Sequence, residues 1–167
     1  KDGREHPFLV GKHVELVEDG RKAIAKVAGQ AVLARGRLDV SPVFEVSGDV
    51  DYSTGNIKFN GSVVVQGIVR DGFKVEAKGN VNVIGSVEGA MIIAGGDIVL
   101  RGGVRGQDRA KFEAGNNFSA RFVEKAEICA MDTITISEAA MHSTLQAGKN
   151  IVIEGGRGWL VGGKACA

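Results

Sequence analysis

The sequence predicts an all-β protein, a right-handed parallel β-helix (solenoid) of about six coils preceded by a small antiparallel β subdomain. Three observations lead to this prediction. Five runs of one shape, KVEA, MIIA, KFEA, EICA and TLQA, each end in alanine. After a polar or glycine turn, Asn, Asp or Thr then opens a short alternating strand such as NVNV or NIVI. Glycine supplies 25 of the 167 residues and proline only 2, which favours tight turns between short strands.

The alanines that close the runs measure the repeat. Successive alanines are 17, 20, 16 and 17 residues apart, and such a nearly fixed period is typical of solenoid proteins. We therefore predict one coil per repeat, with the alanines stacked at a corner that is too narrow for a larger side chain. This structural column contains Ala77, Ala94, Ala114, Ala130 and Ala147.

Each coil is expected to contain three short strands. The first strand opens with Asn, Asp or Thr, as in NIKF, NVNV and DIVL, the second is a stub after a turn, and the third ends in alanine. Equivalent strands of neighbouring coils would pair in parallel at a spacing of about 4.8 Å. The opening polar side chains are expected to hydrogen-bond the backbone of the next coil. They are Asn56, Asn80, Asp97, Asn117 and Asn150.

The lengths of the coils decide the predicted handedness. Asn56 and Asn80 are 24 residues apart, whereas the next interval is 17, so the first coil is predicted to be oversized. A left-handed hexapeptide helix keeps a strict period, which these unequal lengths exclude. Other parallel crossovers are almost always right-handed.

The N-terminal residues follow a different pattern. Residues 1–47 contain no repeat, and Glu18-Asp19-Gly20 joins two alternating runs as a hairpin turn would. Residues 31–35 and 43–48 predict two further strands. We therefore predict an antiparallel β subdomain over residues 1–47 that caps the β-helix of residues 48–167, because a terminal coil otherwise exposes unpaired backbone groups.

The distribution of charge excludes two classes of function. The net charge is +1, with eight basic and seven acidic residues before position 48 and thirteen of each after it. Neither part has the positive field of a nonspecific nucleic-acid binder, so we predict no nucleic-acid partner. The sequence also contains no apolar run of about 18 residues, which predicts no membrane span. Lys1 in place of an initiator methionine indicates a segment of a longer chain.

No group of residues predicts a cofactor or metal site. Cys129 and Cys166 are the only cysteines, and a metal site would need more ligands at closer spacing. They are expected to be reduced, which predicts a cytoplasmic protein. The acidic turn at residues 48–56 lacks the glycine and final glutamate of a calcium loop, so it is predicted to bond its own backbone.

Two pairs of residues are candidates for catalysis. Glu76 and Glu113 occupy the same slot two coils apart, with Ile93 between them, at a separation of about 10 Å that would suit an inverting glycosidase. His142 precedes Ser143, but adjacent residues rarely face each other as a nucleophile and its base. Nothing else converges on either pair, so we predict no catalytic residues and a protein that is not an enzyme.

Positive charge is concentrated on two adjacent predicted coils, with Asp108 and Glu113 as partial partners. A solvated, partly paired face is one explanation. The other is a contact for an acidic protein partner or an anionic polymer, because arginine matches carboxylate or phosphate oxygens in a bidentate manner. The candidate partner-binding residues are Arg101, Arg105, Arg109, Lys111 and Arg121.

Several segments resemble the FapA (flagellar assembly protein A) family of bacteria, a domain long without assigned function. The segments are DVDYSTGNI, SVEGA, AGGDI and AMHS, and the similarity runs from about residue 12 to the end, loosening at EAGNNFS and CAMDTIT. The resemblance implies a β-helical scaffold in the bacterial cytoplasm, linked to flagellar assembly or polar cell organisation through protein contacts. It also implies similar architecture to the bactofilins and the C-terminal domain of MinC.

Two functions of different classes follow from the sequence. The first is a noncatalytic scaffold or protein-interaction module, which could also form homo-oligomers through the ends of the solenoid. The alternative is a polysaccharide-binding or carbohydrate-active β-helix, which needs carboxylates beside aromatic platforms. Aromatic residues are only 5% of the chain, which favours the scaffold.

Overall fold

The computed structural model describes residues 9–18, 20–27, 29–155 and 158–167. These residues form strands and turns, and as predicted the fold is a parallel β-solenoid with a small antiparallel N-terminal sheet. Among them there is no helix with the length and apolar character needed to span a bilayer. The chain divides into two compact units, Lys1–Phe44 and Glu45–Ala167.

The N-terminal unit contains two small sheets. Its strands are β1 (Leu9–Val10), β2 (Val14–Val17), β3 (Lys22–Ala25), β4 (Gln30–Ala34) and β5 (Arg37–Ser41). β2 and β3 pair antiparallel, as the Asp-Gly signal predicts, with Glu18 and Gly20 in left-handed conformations at φ 55° and 85°. Asp19, the middle residue of that turn, lies outside the described residues. β4 and β5 also pair antiparallel, and β1 joins β5 in parallel. The capping role of this unit stays a prediction.

The remaining thirteen strands form one sheet system. They are β6 (Val43–Val46), β7 (Ile57–Phe59), β8 (Ser62–Val65), β9 (Lys74–Ala77), β10 (Val81–Val83), β11 (Val87–Glu88), β12 (Met91–Ala94), β13 (Ile98–Leu100), β14 (Val104–Ala114), β15 (Phe118–Ala130), β16 (Thr133–Ala147), β17 (Asn150–Ile153) and β18 (Trp159–Cys166). Their pairing is parallel from coil to coil, which is the pattern of a solenoid. β6, which the sequence analysis assigned to the antiparallel subdomain, pairs with β8 instead.

The strand β7 does not lie where the sequence predicts. The NIKF run was expected to stack on NVNV, but β7 pairs with β9, the strand that contributes the first alanine of the predicted column. This register places Lys58 opposite Glu76 and Phe59 opposite Ala77. Phe59 therefore starts the alanine column.

The place expected for NIKF is taken by β8. Val63 pairs with Val81, and the N–H of Asn80 donates to Ser62 Oγ at 3.0 Å, 18 residues away in sequence. Ser62 thus replaces the coil-opening Asn, and the predicted oversized first coil is wrong. Because a further coil begins at β6, the solenoid has about seven turns, compared with the six predicted.

The five predicted alanines form one continuous column. Each pairs in parallel register with the next, and the first four are only 2–4% exposed. The corner that follows is narrow, since a Cβ on Gly115 would lie 2.1 Å from the carbonyl oxygen of Gly95 in the preceding coil. Alanine therefore occupies the last position before the backbones of neighbouring coils come into close contact.

The structure contains a second column of small buried residues that was not predicted from the sequence. It lies directly before the runs that end in alanine, where the sequence reads A-MIIA, A-KFEA, A-EICA and S-TLQA. The Ser143 hydroxyl, in the last of these, donates to the Met141 carbonyl at 2.8 Å and accepts the Ala126 N–H at 3.2 Å. The buried members are Ala90, Ala110, Ala126 and Ser143.

Inward-facing side chains of the strands fill the interior of the solenoid. The alternating residues predicted to point inward are fully buried in β10, β13 and the first part of β16. The largest are Phe112 and Phe118, both 0% exposed, whose rings meet edge to face at a centroid distance of 5.4 Å. The core is therefore narrow and aliphatic, with one aromatic pair formed between two successive coils.

Polar side chains link successive coils at the turn before the first strand. Asn80 Oδ1 accepts the Asp97 N–H at 2.9 Å, and Asp97 Oδ1 accepts the Asn117 N–H at 3.0 Å. This is the hydrogen-bonded ladder predicted for the coil-opening residues. Asn56 departs from it, because its Oδ1 accepts the Lys74 N–H instead.

The last strand, β18, pairs with β16 and leaves apolar side chains exposed. Trp159, Leu160 and Val161 are 44–50% exposed. Self-association through the ends of the solenoid stays a prediction.

Candidate partner-binding surface

The five candidate cations do not form one continuous patch. Arg101 and Arg121 directly follow strand positions that pair in register, so they are neighbours at one corner. Arg105, Arg109 and Lys111 all lie in β14, beyond the next corner. The structure therefore separates the predicted surface into two parts.

Three of these cations are ion-paired with acids from other coils. The sequence suggested Asp108 and Glu113 as partners because they are close along the chain, whereas stacking of coils brings distant residues together. The observed distances are 3.1 Å for Arg109–Asp71, 3.6 Å for Lys111–Glu127 and 2.6 Å for Arg121–Glu138. Such exposed pairs are each worth about 0–1 kcal/mol, so they stabilise the fold little.

Charges of alternating sign form a column on the face made by the stub strands. Glu88 pairs in register with Arg105, which pairs with Glu124. Before them, Arg70 contacts Asp49 at 2.9 Å and Glu88 at 3.5 Å. Opposite charges at directly paired positions of adjacent strands favour this register.

Asp49 gives this column a dependence on pH. The Ile68 N–H first, and then the Arg70 guanidinium, hold the pKa of the Asp49 carboxyl below its ordinary value of 3.8. Because the pKa is lower in the folded state, ionised Asp49 stabilises the fold above the unfolded pKa, and this contribution is lost as the pH falls through the folded pKa.

Asp49→Asn is expected to lower stability at neutral pH and to give a shallower loss of stability on acidification. The amide oxygen can still accept the Ile68 N–H, so the change removes mainly the charge. Urea unfolding followed from about pH 7 down to pH 2 measures this, and the two curves should converge at the acid end. A constant offset between them at every pH would contradict the assignment.

A corner formed by consecutive coils carries four left-handed residues that are not glycine. We call Gln107, Asp108, Lys125 and His142 the corner ridge. Their φ angles are 53°, 60°, 48° and 49°, and all four are exposed. Left-handed conformations cost about 1–2 kcal/mol for most residues with a Cβ and less for Asp and His, so the strain at this corner is greatest at Gln107 and Lys125.

The first two ridge residues belong to a bulge in β14. Arg105 pairs with Glu124 and Ala110 with Ala126, so four residues, 106–109, lie opposite a single residue of β15. The bulge explains why this coil is the longest, with Asp97 and Asn117 20 residues apart. The chain therefore projects Gln107 and Asp108 outward from the regular corner.

Two shallow hollows flank the ridge. One, of about 370 Å³, contains Arg105 and Glu124, and the other, of about 300 Å³, contains Arg109, Lys111 and His142. Asp108 and Lys125 line both. The two hollows bring Arg105, Arg109 and Lys111 of the predicted basic cluster to a concave surface, and Lys125 and His142 are members that the charge count did not include.

The carboxylate pair considered for sugar cleavage is arranged as predicted, but the surroundings of Glu76 do not suit a general acid. Ile93 pairs with both Glu76 and Glu113, which places the two acids two coils apart. Lys58 at 2.9 Å and Lys74 at 3.2 Å hold the pKa of Glu76 below its usual value, whereas a general acid needs a raised pKa. The hollow beside Glu113 has no aromatic lining residue.

The remaining candidates for chemistry are Ser143 and the two cysteines. Ser143 is 1% exposed, and both its hydrogen bonds go to backbone, so its hydroxyl is not available as a nucleophile. Cys129 and Cys166 are exposed free thiols in one column, separated by Gln146. Two coil spacings, about 10 Å, exceed the reach of a disulfide.

The acidic turn bonds its own backbone, as predicted. Asp51 Oδ1 accepts the Ser53 N–H at 2.8 Å, the Ser53 hydroxyl at 2.6 Å and the Thr54 N–H at 3.4 Å. Within the described ranges, no group of three or more His, Cys, Asp or Glu side chains could hold a metal ion.

Comparison with known families agrees with this architecture. The sequence model for FapA, described as the flagellar assembly protein A β-solenoid domain, matches residues 42–167. The chain belongs to the FapA family. The FapA match begins one residue before β6, which is where the structure starts the solenoid. Searches of curated proteins and of solved structures found no significant match. The resemblance of this FapA domain to bactofilins and MinC stays a prediction.

Proposed function

We propose that this FapA-family chain is a noncatalytic scaffold that acts in bacterial flagellar assembly or polar cell organisation by binding a protein partner in the cytoplasm. The observation that carries the proposal is the family match over the whole solenoid. The candidate catalytic groups support it, because Glu76 is tied to two lysines and the Ser143 hydroxyl to backbone. The solenoid presents charged side chains to a partner in fixed columns.

The charged faces suit an acidic protein partner. Arg101 and Arg105 have no carboxylate within 4.0 Å among the described residues, so their guanidinium groups are available for contacts with another molecule. Arginine binds carboxylates in a bidentate manner, which gives such contacts direction as well as charge.

Deletion of the gene for the full-length protein in its own host tests the proposal. Flagella counted by electron microscopy should fall or be misplaced, and the full-length gene supplied in trans should restore them. As a control for expression, the protein level in the complemented strain is measured by immunoblot. Normal number and position of flagella in the deletion strain would overturn the proposal.

A further inference from the structure

The corner ridge keeps charged and polar side chains where the fold accepts glycine. Lys125 and His142 occupy equivalent positions of neighbouring coils, because Glu124 pairs with Met141 and Glu127 with Thr144. The equivalent of His142 in the next coil is Gly162, because Met141 pairs with Val161 and Ser143 with Gly163. Gly162 and Gly89, at the same corner in other coils, are also left-handed, at φ 64° and 50°. Because glycine adopts this conformation without a Cβ penalty, the backbone of the corner does not require Lys125 or His142.

The bulge in β14 contributes two further left-handed residues to the corner ridge. Gln107 and Asp108 are consecutive left-handed residues, at positions where tight turns favour Asn and Gly. Their side chains are exposed, so they do not pack in the core in compensation. Strained residues held by a rigid scaffold are concentrated at functional sites, and three neighbouring coils contribute them here.

The cations around the ridge are only loosely held by the protein itself. Lys125 Nζ lies 4.0 Å from Asp108 Oδ2, and Lys111 Nζ lies 3.6 Å from Glu127 Oε2. Both distances exceed the 2.7–2.9 Å of a direct charge-assisted hydrogen bond. A carboxylate of a binding partner could form such a shorter bond with either lysine. Exchange of these exposed pairs for contacts with a partner therefore costs little.

The lining of the two hollows carries a small excess of positive charge. The lining residues include four cations and three carboxylates, and His142 and Gln107 add polar groups. The cations are Arg105, Arg109, Lys111 and Lys125, and the carboxylates are Asp108, Glu124 and Glu127. A ligand with several carboxylates along a chain could contact both hollows across the ridge.

We propose that the corner ridge, with its two flanking hollows, docks an acidic segment of a protein, whose carboxylates contact Lys125, Arg105 and Lys111. This inference rests on the proposed scaffold function and deepens it by naming the surface and the class of partner. Lys125 and His142 position the segment at the crest, while the cations of the hollows bind its carboxylates on either side.

Replacement of both crest residues by glycine separates binding from folding. The variant Lys125→Gly/His142→Gly removes a cation and an imidazole but supplies the residue that this corner already uses at Gly89 and Gly162. Its midpoint of urea unfolding should therefore equal or exceed that of the parent. The matched control is Lys78→Gly, which removes an exposed lysine at a different turn.

The probe is a fluorescein-labelled deca-glutamate peptide titrated with the full chain, with deca-glutamine as the uncharged control and polyphosphate as a second anion. We expect binding to deca-glutamate, weakened about tenfold or more in the glycine variant and unchanged in Lys78→Gly. Equal affinity of parent and glycine variant, or no binding of deca-glutamate by the parent, would overturn the ridge proposal. Binding of polyphosphate alone would also overturn it, because the ligand would then not be an acidic protein segment.

The same variant placed in the full-length protein in the host distinguishes this proposal from the proposed function. If the deletion strain loses flagella and the glycine variant restores them fully, the scaffold function stands and the ridge is not its docking site. If the deletion strain has normal flagella, the scaffold function fails irrespective of the peptide titration.

Discussion

Phe112→Ala is expected to destabilise the solenoid by about 3–5 kcal/mol, the largest effect of any single substitution considered. Phe112 is 0% exposed and pairs in register with Ile92 and Ile128. Its ring therefore packs in the interior between the two neighbouring coils. Removal of the ring also leaves Phe118 without its edge-to-face partner. The neighbouring coils cannot collapse into the space because hydrogen bonds fix their spacing at about 4.8 Å.

The free energy of unfolding in urea measures this effect. Met131→Ala is the matched control, because Met131 is 72% exposed and its truncation should change stability by less than about 0.5 kcal/mol. If Phe112→Ala lost no more stability than Met131→Ala, the assignment of Phe112 to the core would be wrong.

Ala114→Leu is expected to destabilise the solenoid by about 1–3 kcal/mol through overpacking. Ala114 is 4% exposed and pairs in register with Ala94 on one side and Ala130 on the other. Three additional carbon atoms have no space there, since Gly115 next to it already lies against the backbone of the preceding coil. The strain has to be relieved by separating coils, which weakens their hydrogen bonds.

The control for this substitution is Glu113→Leu, at the adjacent residue, which points outward on the same strand. It adds a leucine at nearly the same point in the chain without entering the corner. Equal melting temperatures for Ala114→Leu and the parent would contradict a packed alanine column, whereas a decrease confined to Ala114→Leu would support it.

The repeat, the fold and the alanine column were predictable because each depends on one coil at a time. A small side chain is required wherever neighbouring backbones approach closely, and this requirement leaves alanine at the same corner of five successive coils. The second column, at Ala90, Ala110 and Ala126, meets the same requirement for a small side chain and recurs as regularly in the sequence.

The register of the first coil could not be read from the sequence. NIKF opens with Asn and alternates in the same way as NVNV, so the local pattern fits either strand. The choice depends on Ser62, whose hydroxyl accepts the Asn80 N–H in place of an Asn or Asp side chain. Serine is common in turns, and nothing local distinguishes this one.

The candidate surface was only partly predictable for a related reason. The sequence shows a concentration of cations, but their partners lie one or two coils away, as Asp71 does for Arg109. The interval of 20 residues between Ala94 and Ala114 revealed additional length in one coil. It did not show that Gln107 and Asp108 would hold left-handed conformations, because such residues seldom adopt them.

The seven-coil solenoid, with Phe59 at the start of the alanine column, depends on the pairing of β7 with β9, and disulfide trapping tests this register most directly. In a Cys129→Ser/Cys166→Ser background, Lys58→Cys/Glu76→Cys places two thiols on directly paired strands. Their Cα atoms are separated by about 4.8 Å, within disulfide range, so oxidation should cross-link them. The register suggested by the sequence pairs Lys58 with Asn82 instead. Cross-linking of Lys58→Cys/Asn82→Cys, with none in the Lys58/Glu76 pair, would contradict the seven-coil solenoid.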